Sequence, residues 1–316
     1  MANNILWVPF LNPVKFVEAS PTTVPQYLFK HFDDYKFSDQ LADQYWLQQD
    51  RYYQKFQTSD IMYFQFESNY DPINIDLINL DGTRVATVLA QNVRSNIYEA
   101  GLYVYQAQIS LAAVPPGCYY LKLTAGSPVL KTMISEPISI QVSHPSTVMI
   151  EYKNTRYHAD IIFETGIQFG FRVEGGLINF QPGGKKSIYE DEKLNPTIIT
   201  SKPYRVFDLE IGGSHGVPEW VADKLNWIWS CNSVNVDGKP FAIADDQALT
   251  IKSQEGTAMR GVNIKVREGV NRGSKILAAA GNTNVELVVV TQIERRLFGD
   301  TSGSGSANTI SIPAIN

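Results

Sequence analysis

The sequence predicts an all-β protein carrying one amphipathic helix, and three observations lead there. Apolar residues alternate with polar ones through most of the chain. Turn signals separate those runs at roughly 8–15-residue intervals, the spacing of short strands in a β-sandwich. A single stretch keeps the helical period instead.

Residues 1–58 read as an N-terminal arm. "ILWVPFLNPVKFVEASPTTVP" is interrupted by prolines, each of which removes a donor and holds its predecessor extended. "SDQLADQYWLQQDRYYQKFQ" reads equally as a short helix capped by Ser38 or as an aromatic-rich strand. So many aromatic residues with so few charges suit a segment that packs on something, and Trp7 and Trp46 are its candidate interface residues.

Residues 59–143 have period two. Met62, Phe64 and Phe66 share one face, and so do Ile73, Ile75 and Leu77. Asp81-Gly82 is a pair that tolerates the positive φ of a type I′ hairpin. "RVATVLA", "GLYVYQAQIS", "CYYLKL" and "EPISIQV" follow, which together predict a sandwich of immunoglobulin-like size. The Cys…Trp…Cys spacing of true immunoglobulin domains is missing, so only the architecture follows.

"SHPST" reads as a linker to a second β-sandwich domain, residues 147–300. Ile167, Phe169, Phe171 and Val173 alternate with polar partners, and "FQPGGKKSIYEDEKLNP" reads as a loop. Phe207, Leu209 and Ile211 line one side of the next strand, and a second hairpin turns at Asp237-Gly238. "GVNIKVRE" and "VELVVVTQI" complete the sheet, and the Gly/Ser-rich stretch 301–316 reads as a flexible tail with Ile310 and Ile312 at its apolar tip.

The helix falls at about 217–230. Val217, Trp220, Val221, Leu225 and Ile228 repeat at helical spacing, with Glu219, Asp223, Lys224 and Asn226 elsewhere. Pro218 suits the first helical position, and Glu219 and Asp223 suit the positive end of the helix dipole. Trp227 and Trp229 point partly off the apolar face and are further interface candidates.

The same stretch invites a catalytic reading that its geometry does not support. Ser214 and His215 are adjacent, so they do not face each other for proton transfer, and no G-x-S-x-G elbow surrounds the serine. No histidine or cysteine spacing suits a metal, and neither Tyr189–Lys193 nor Asp245-Asp246 has the pattern of a calcium loop. "QPGGKKS" lacks the first glycine and the serine or threonine of a phosphate loop, and "SGSGSAN" lacks a dinucleotide fingerprint. No catalytic residue, metal or cofactor is therefore predicted.

A net charge of −5 gives no electrostatic reason to bind nucleic acid or an anionic membrane. No run reaches the ~18 apolar residues of a membrane span, and the start has no signal-peptide pattern. Cys118 and Cys231 are expected as reduced thiols.

The strings "FGFRVEGG", "SKPYRVFDLEIGGSHGVPEWVADKLNWIWSCNSVNVDGKPF" and "IKVREGVNR", with "YYQKFQTSDIMYFQFESNYDP" and "CYYLKL…SEPISI", carry a resemblance. Over about residues 45–275 the chain resembles β-rich tail and baseplate structural proteins of phages and prophages of Bacteroides-like hosts. The resemblance implies an assembly role, and the plan of sandwich plus single helix is similar to that of tail-tube and distal-tail modules. It implies a virion protein assembled in the host cytoplasm, with copies of itself and other tail proteins as partners. A carbohydrate- or receptor-binding module is the alternative. Its ligand would be a host-surface glycan stacked on Tyr103, Tyr105, Tyr119 or Tyr120, although their alternation places at least half of them in the core. A polysaccharide hydrolase using the acids of 189–193 is a third expectation.

Overall fold

The computed structural model describes residues 4–22, 52–213, 216–244, 249–253 and 259–269, and these residues are mostly strand. The first part comprises β1 (Leu6–Trp7), β2 (Phe16–Ala19), β3 (Gln54–Gln57), β4 (Ile61–Ser68), β5 (Ile73–Asn79) and β6 (Arg84–Leu89). It continues with β7 (Gln91–Ser95), β8 (Tyr103–Ser110), β9 (Gly117–Ala125), β10 (Lys131–Ser135) and β11 (Ile138–Gln141). The second part comprises β12 (Thr147–Lys153), β13 (Phe169–Glu190), β14 (Pro196–Ile211), helix α1 (Glu219–Trp229) and β15 (Ser233–Val236). It ends with β16 (Lys239–Ile243), β17 (Thr250–Ser253) and β18 (Arg260–Glu268).

The first part is a sandwich. One sheet has the order β1-β4-β8-β7. The other starts β6-β5-β9, and the far edge of β9 is shared by β10 and β11, which carry β2 and, in parallel, β3. Alternation works as expected: Met62, Phe64 and Phe66 meet Ile73, Ile75, Leu77, Leu121 and Leu123 in one core. The described portions of residues 1–58 are built into these sheets and do not stand apart as an arm. Leu6, Val14, Phe16 and Phe56 belong to the sandwich core, because their extended backbones complete sheet edges.

The second part closes on itself. The antiparallel pairings β12–β13, β13–β14, β14–β18, β18–β16, β16–β15 and β15–β12 form a ring of six strands. Closure satisfies edges that an open sheet would leave bare. Asp237 and Gly238 both have positive φ, the type I′ turn expected. In the Asp81-Gly82 turn only Gly82 does, and the Asp81 side chain accepts from Thr83 N at 2.8 Å, so this turn is not type I′.

Helix α1 begins one residue later than the sequence suggests, with Pro218 as the extended N-cap. It buries Trp220, Val221, Leu225 and Ile228 against Phe169, Phe171, Ile211 and Ile264 of the ring. Two assignments change here. Trp229, expected to face outward with Trp227, is buried in this core. Lys224, expected on the polar side, is fully buried. Position 224 lies four residues from both Trp220 and Ile228, so spacing puts it on the apolar face whatever its residue type.

The largest departure is the expected loop "FQPGGKKSIYEDEKLNP". It forms the outer half of a long hairpin, in which β13 and β14 pair from Gly175↔Ile211 out to Glu190↔Pro196. Cross-strand pairing holds the glycines extended, and the Tyr204 ring covers its partner Gly183, supplying the side-chain contact that glycine lacks.

Candidate assembly surface

The hairpin's outer half, residues 180–205, is solvent-exposed along nearly its whole length. Ile188 and Ile198 are cross-strand partners and more than half exposed, and Phe180, Tyr189, Leu194 and Ile199 are exposed as well. Lys185 lies directly opposite Lys202, with Lys186 beside it, although like charges facing each other weaken a hairpin. An isolated two-stranded ribbon is marginal in water, so this one is secured at both ends. At its root Phe180 packs on Phe207 at 5.6 Å, and Arg267 lies over Tyr204 at 4.0 Å. At the tip, Asp191 accepts from Lys193 N and Asn195 N at 2.9 and 2.8 Å and from Asn195 Nδ2 at 2.9 Å. Those bonds, first among them the Asn195 side chain, hold the Asp191 carboxyl below its usual range. The acidic cluster 189–193 thus closes a turn.

The ribbon's base is tied together by buried hydrogen bonds. Arg172 and Asp60 form a buried pair between barrel and sandwich, through Nε to Oδ2 at 2.8 Å and Nη2 to Oδ1 at 2.7 Å. Gln54 Nε2 donates to Arg172 O at 2.6 Å. Further along the seam, Gln65 exchanges bonds with Asn12 and with Ile162, all between 2.8 and 3.1 Å. Lys224 Nζ donates to Asn12 O at 2.6 Å and sits among the rings of Phe10, Phe171 and Trp220 at 5.5, 5.2 and 4.7 Å. Burial lowers its ammonium to about 7, partly opposed by Glu136, whose own carboxyl burial raises to about 8.

A groove of about 780 Å³ runs between the sandwich and the barrel. Gln91, Gln106, Gln108 and Gln168 line it with Leu89 and Glu151. Asp60 also borders it, but that carboxylate is held by Arg172. Among the described residues no group of three or more His, Cys, Asp or Glu is placed to hold a metal ion.

With this geometry in place, comparison with known proteins adds nothing to it. No protein-family model matches the chain, and neither a curated protein nor a solved structure matches it significantly.

Of the residues singled out from sequence, Trp7 and Trp227 are exposed, at 43% and 41%, and Trp229 is buried. Trp46, Ile310, Ile312, Ser214, His215 and Asp245-Asp246 lie outside the described residues. Tyr103 is exposed, whereas Tyr105, Tyr119 and Tyr120 are core residues. No helix among the described residues is long and apolar enough to cross a membrane. Sequence reasoning missed the exposed ribbon because glycines and charges mask its period. The usable signal was the Ile188…Ile198-Ile199 pattern on either side of the "EDEKLNP" turn.

Proposed function

We propose that this chain is a non-enzymatic virion structural protein of a phage tail or baseplate, distal-tail- or hub-like. It assembles in the host cytoplasm into an oligomeric ring through its β-domains and C-terminal tail, alongside other tail proteins. One observation carries the reading: the exposed ribbon 180–205, whose outer apolar side chains Ile188, Tyr189, Leu194, Ile198 and Ile199 are all more than half exposed. A two-stranded ribbon gains further stability when those side chains are covered, and a neighbouring copy supplies that cover. The sequence resemblance to tail proteins supports the same reading.

Light scattering and electron microscopy of the purified full chain test it. The expected result is a ring or higher oligomer. A variant in which Gly183 is joined to Tyr204 through Asn-Gly should remain folded and become monomeric. A wild-type chain that stays monomeric at high concentration, and is missing from purified particles by mass spectrometry, overturns the proposal.

A further inference from the structure

Four exposed aromatic side chains from distant parts of the sequence are linked to one another through strand pairing, hydrogen bonds and ring contacts. Trp7 on β1 is the cross-strand partner of Glu67 on β4. Asn96 Nδ2 donates to Glu67 Oε2 at 2.7 Å, and Asn96 Oδ1 accepts from the backbone of Tyr98 at 2.8 Å and Glu99 at 3.2 Å. The Tyr98 ring meets the Tyr157 ring at 5.0 Å, joining the β7–β8 loop of the sandwich to the β12–β13 loop of the barrel. His158 follows Tyr157 and packs on Trp227 at 6.1 Å, its Nε2 within 3.4 Å of Trp227 O. Trp7, Tyr98, Tyr157 and Trp227 are each 41–62% exposed.

This linked strip is preorganised. His158 and Ile161 exchange backbone bonds of 3.1 Å, and Asn232 ties the loop at Thr155 with a 2.7 Å bond. Glu67 is largely buried, so its bond to Asn96 fixes both side chains.

We propose that this strip binds a pyranose oligosaccharide, with the aromatic faces stacking on sugar rings and the second amide hydrogen of Asn96, held in place by Glu67, donating to a sugar hydroxyl. The chemistry favours sugar over a protein surface. A pyranose offers an apolar C–H face bordered by vicinal hydroxyls, which suits amphipathic rings interrupted by a side-chain amide. A protein-binding patch would instead be centred on contiguous apolar area, and here Ile97 is the exposed aliphatic neighbour on the Tyr98 loop. The inference does not depend on the assembly reading.

Calorimetric and tryptophan-fluorescence titrations of the full chain with cellohexaose, maltohexaose and chitohexaose test it. At least one should bind and shift Trp emission. Tyr98→Ala and Trp227→Ala should each weaken that binding about tenfold or more. Tyr189→Ala, on the ribbon, should leave binding unchanged, and Trp227→Phe should retain part of it, with melting curves confirming that each variant folds. Failure of all three sugars at millimolar concentration overturns the proposal. So does binding that survives both alanine variants, or a strip covered by a second copy in the assembled particle.

Discussion

Asp60 and Arg172 face each other through two parallel hydrogen bonds of 2.8 and 2.7 Å, and both side chains are buried. The carboxylate comes from the turn before β4 of the sandwich and the guanidinium from β13 of the barrel, so the pair fixes one part on the other. Removing one partner strands a buried charge. Asp60→Ala should therefore cost about 3–5 kcal/mol in urea unfolding. The double variant Asp60→Leu/Arg172→Met should lose much less, since no charge is then left unpaired.

The Lys224–Glu136 neighbourhood predicts opposite pH limbs. Lys224 titrates at about 7 when folded against 10.5 as the ordinary value, so between these the unfolded chain binds more protons and stability rises with pH. Glu136 titrates at about 8 against 4.5, so between these the folded chain binds more protons and stability falls with pH. The slopes oppose each other between about 7 and 8. Lys224→Met should flatten the alkaline limb and Glu136→Gln the acid limb, each by about 1.4 kcal/mol per pH unit. Urea titrations of both variants at pH 5.5, 7.5 and 9.5 check the signs, with roughly these pH values chosen to bracket the windows.

Gly175 stands where β13 passes from its pairing with β12 to its pairing with β14. A Cβ there would lie 2.2 Å from Glu210 O, a backbone atom that cannot swing aside. Gly175→Ala should destabilise the protein by about 3 kcal/mol, whereas Gly82→Ala, whose Cβ meets nothing within 4 Å, should lose only the smaller strain of its positive φ. Thermal melts of the two variants compare them.

Cys118 and Cys231 are both free. Burial pushes the Cys231 thiol up to about 12 and raises Cys118 less. Iodoacetamide at about pH 8 should label the half-buried Cys118 first, with Cys231 reacting only when the chain is unfolded. Peptide mapping by mass spectrometry reads the order.

The sandwich was legible because its inward residues alternate strictly: Met62, Phe64 and Phe66 declare their face without help from distant contacts. The helix was legible for the same reason, apart from Lys224. There the residue type argued against burial, and the rings of Phe10 and Phe171 that surround its ammonium come from remote segments. Barrel closure was not legible, since the β12–β15 and β12–β13 pairings are relations between segments. The aromatic strip escaped for a similar reason: Trp7 and Trp227 could be named singly, but not linked with Tyr98 and Tyr157.

Leu11 lies in the barrel core, while Val14, three positions on, lies in the core of the sandwich. One short stretch near the start of the chain is thus shared by both interiors, and its enclosure in the barrel awaits β18, the last strand among the described residues, some 250 residues later. Neither half is a severable module. A fragment starting at the 143–147 junction would be born with a vacancy at its centre, and melting the intact chain should take both halves down in one transition.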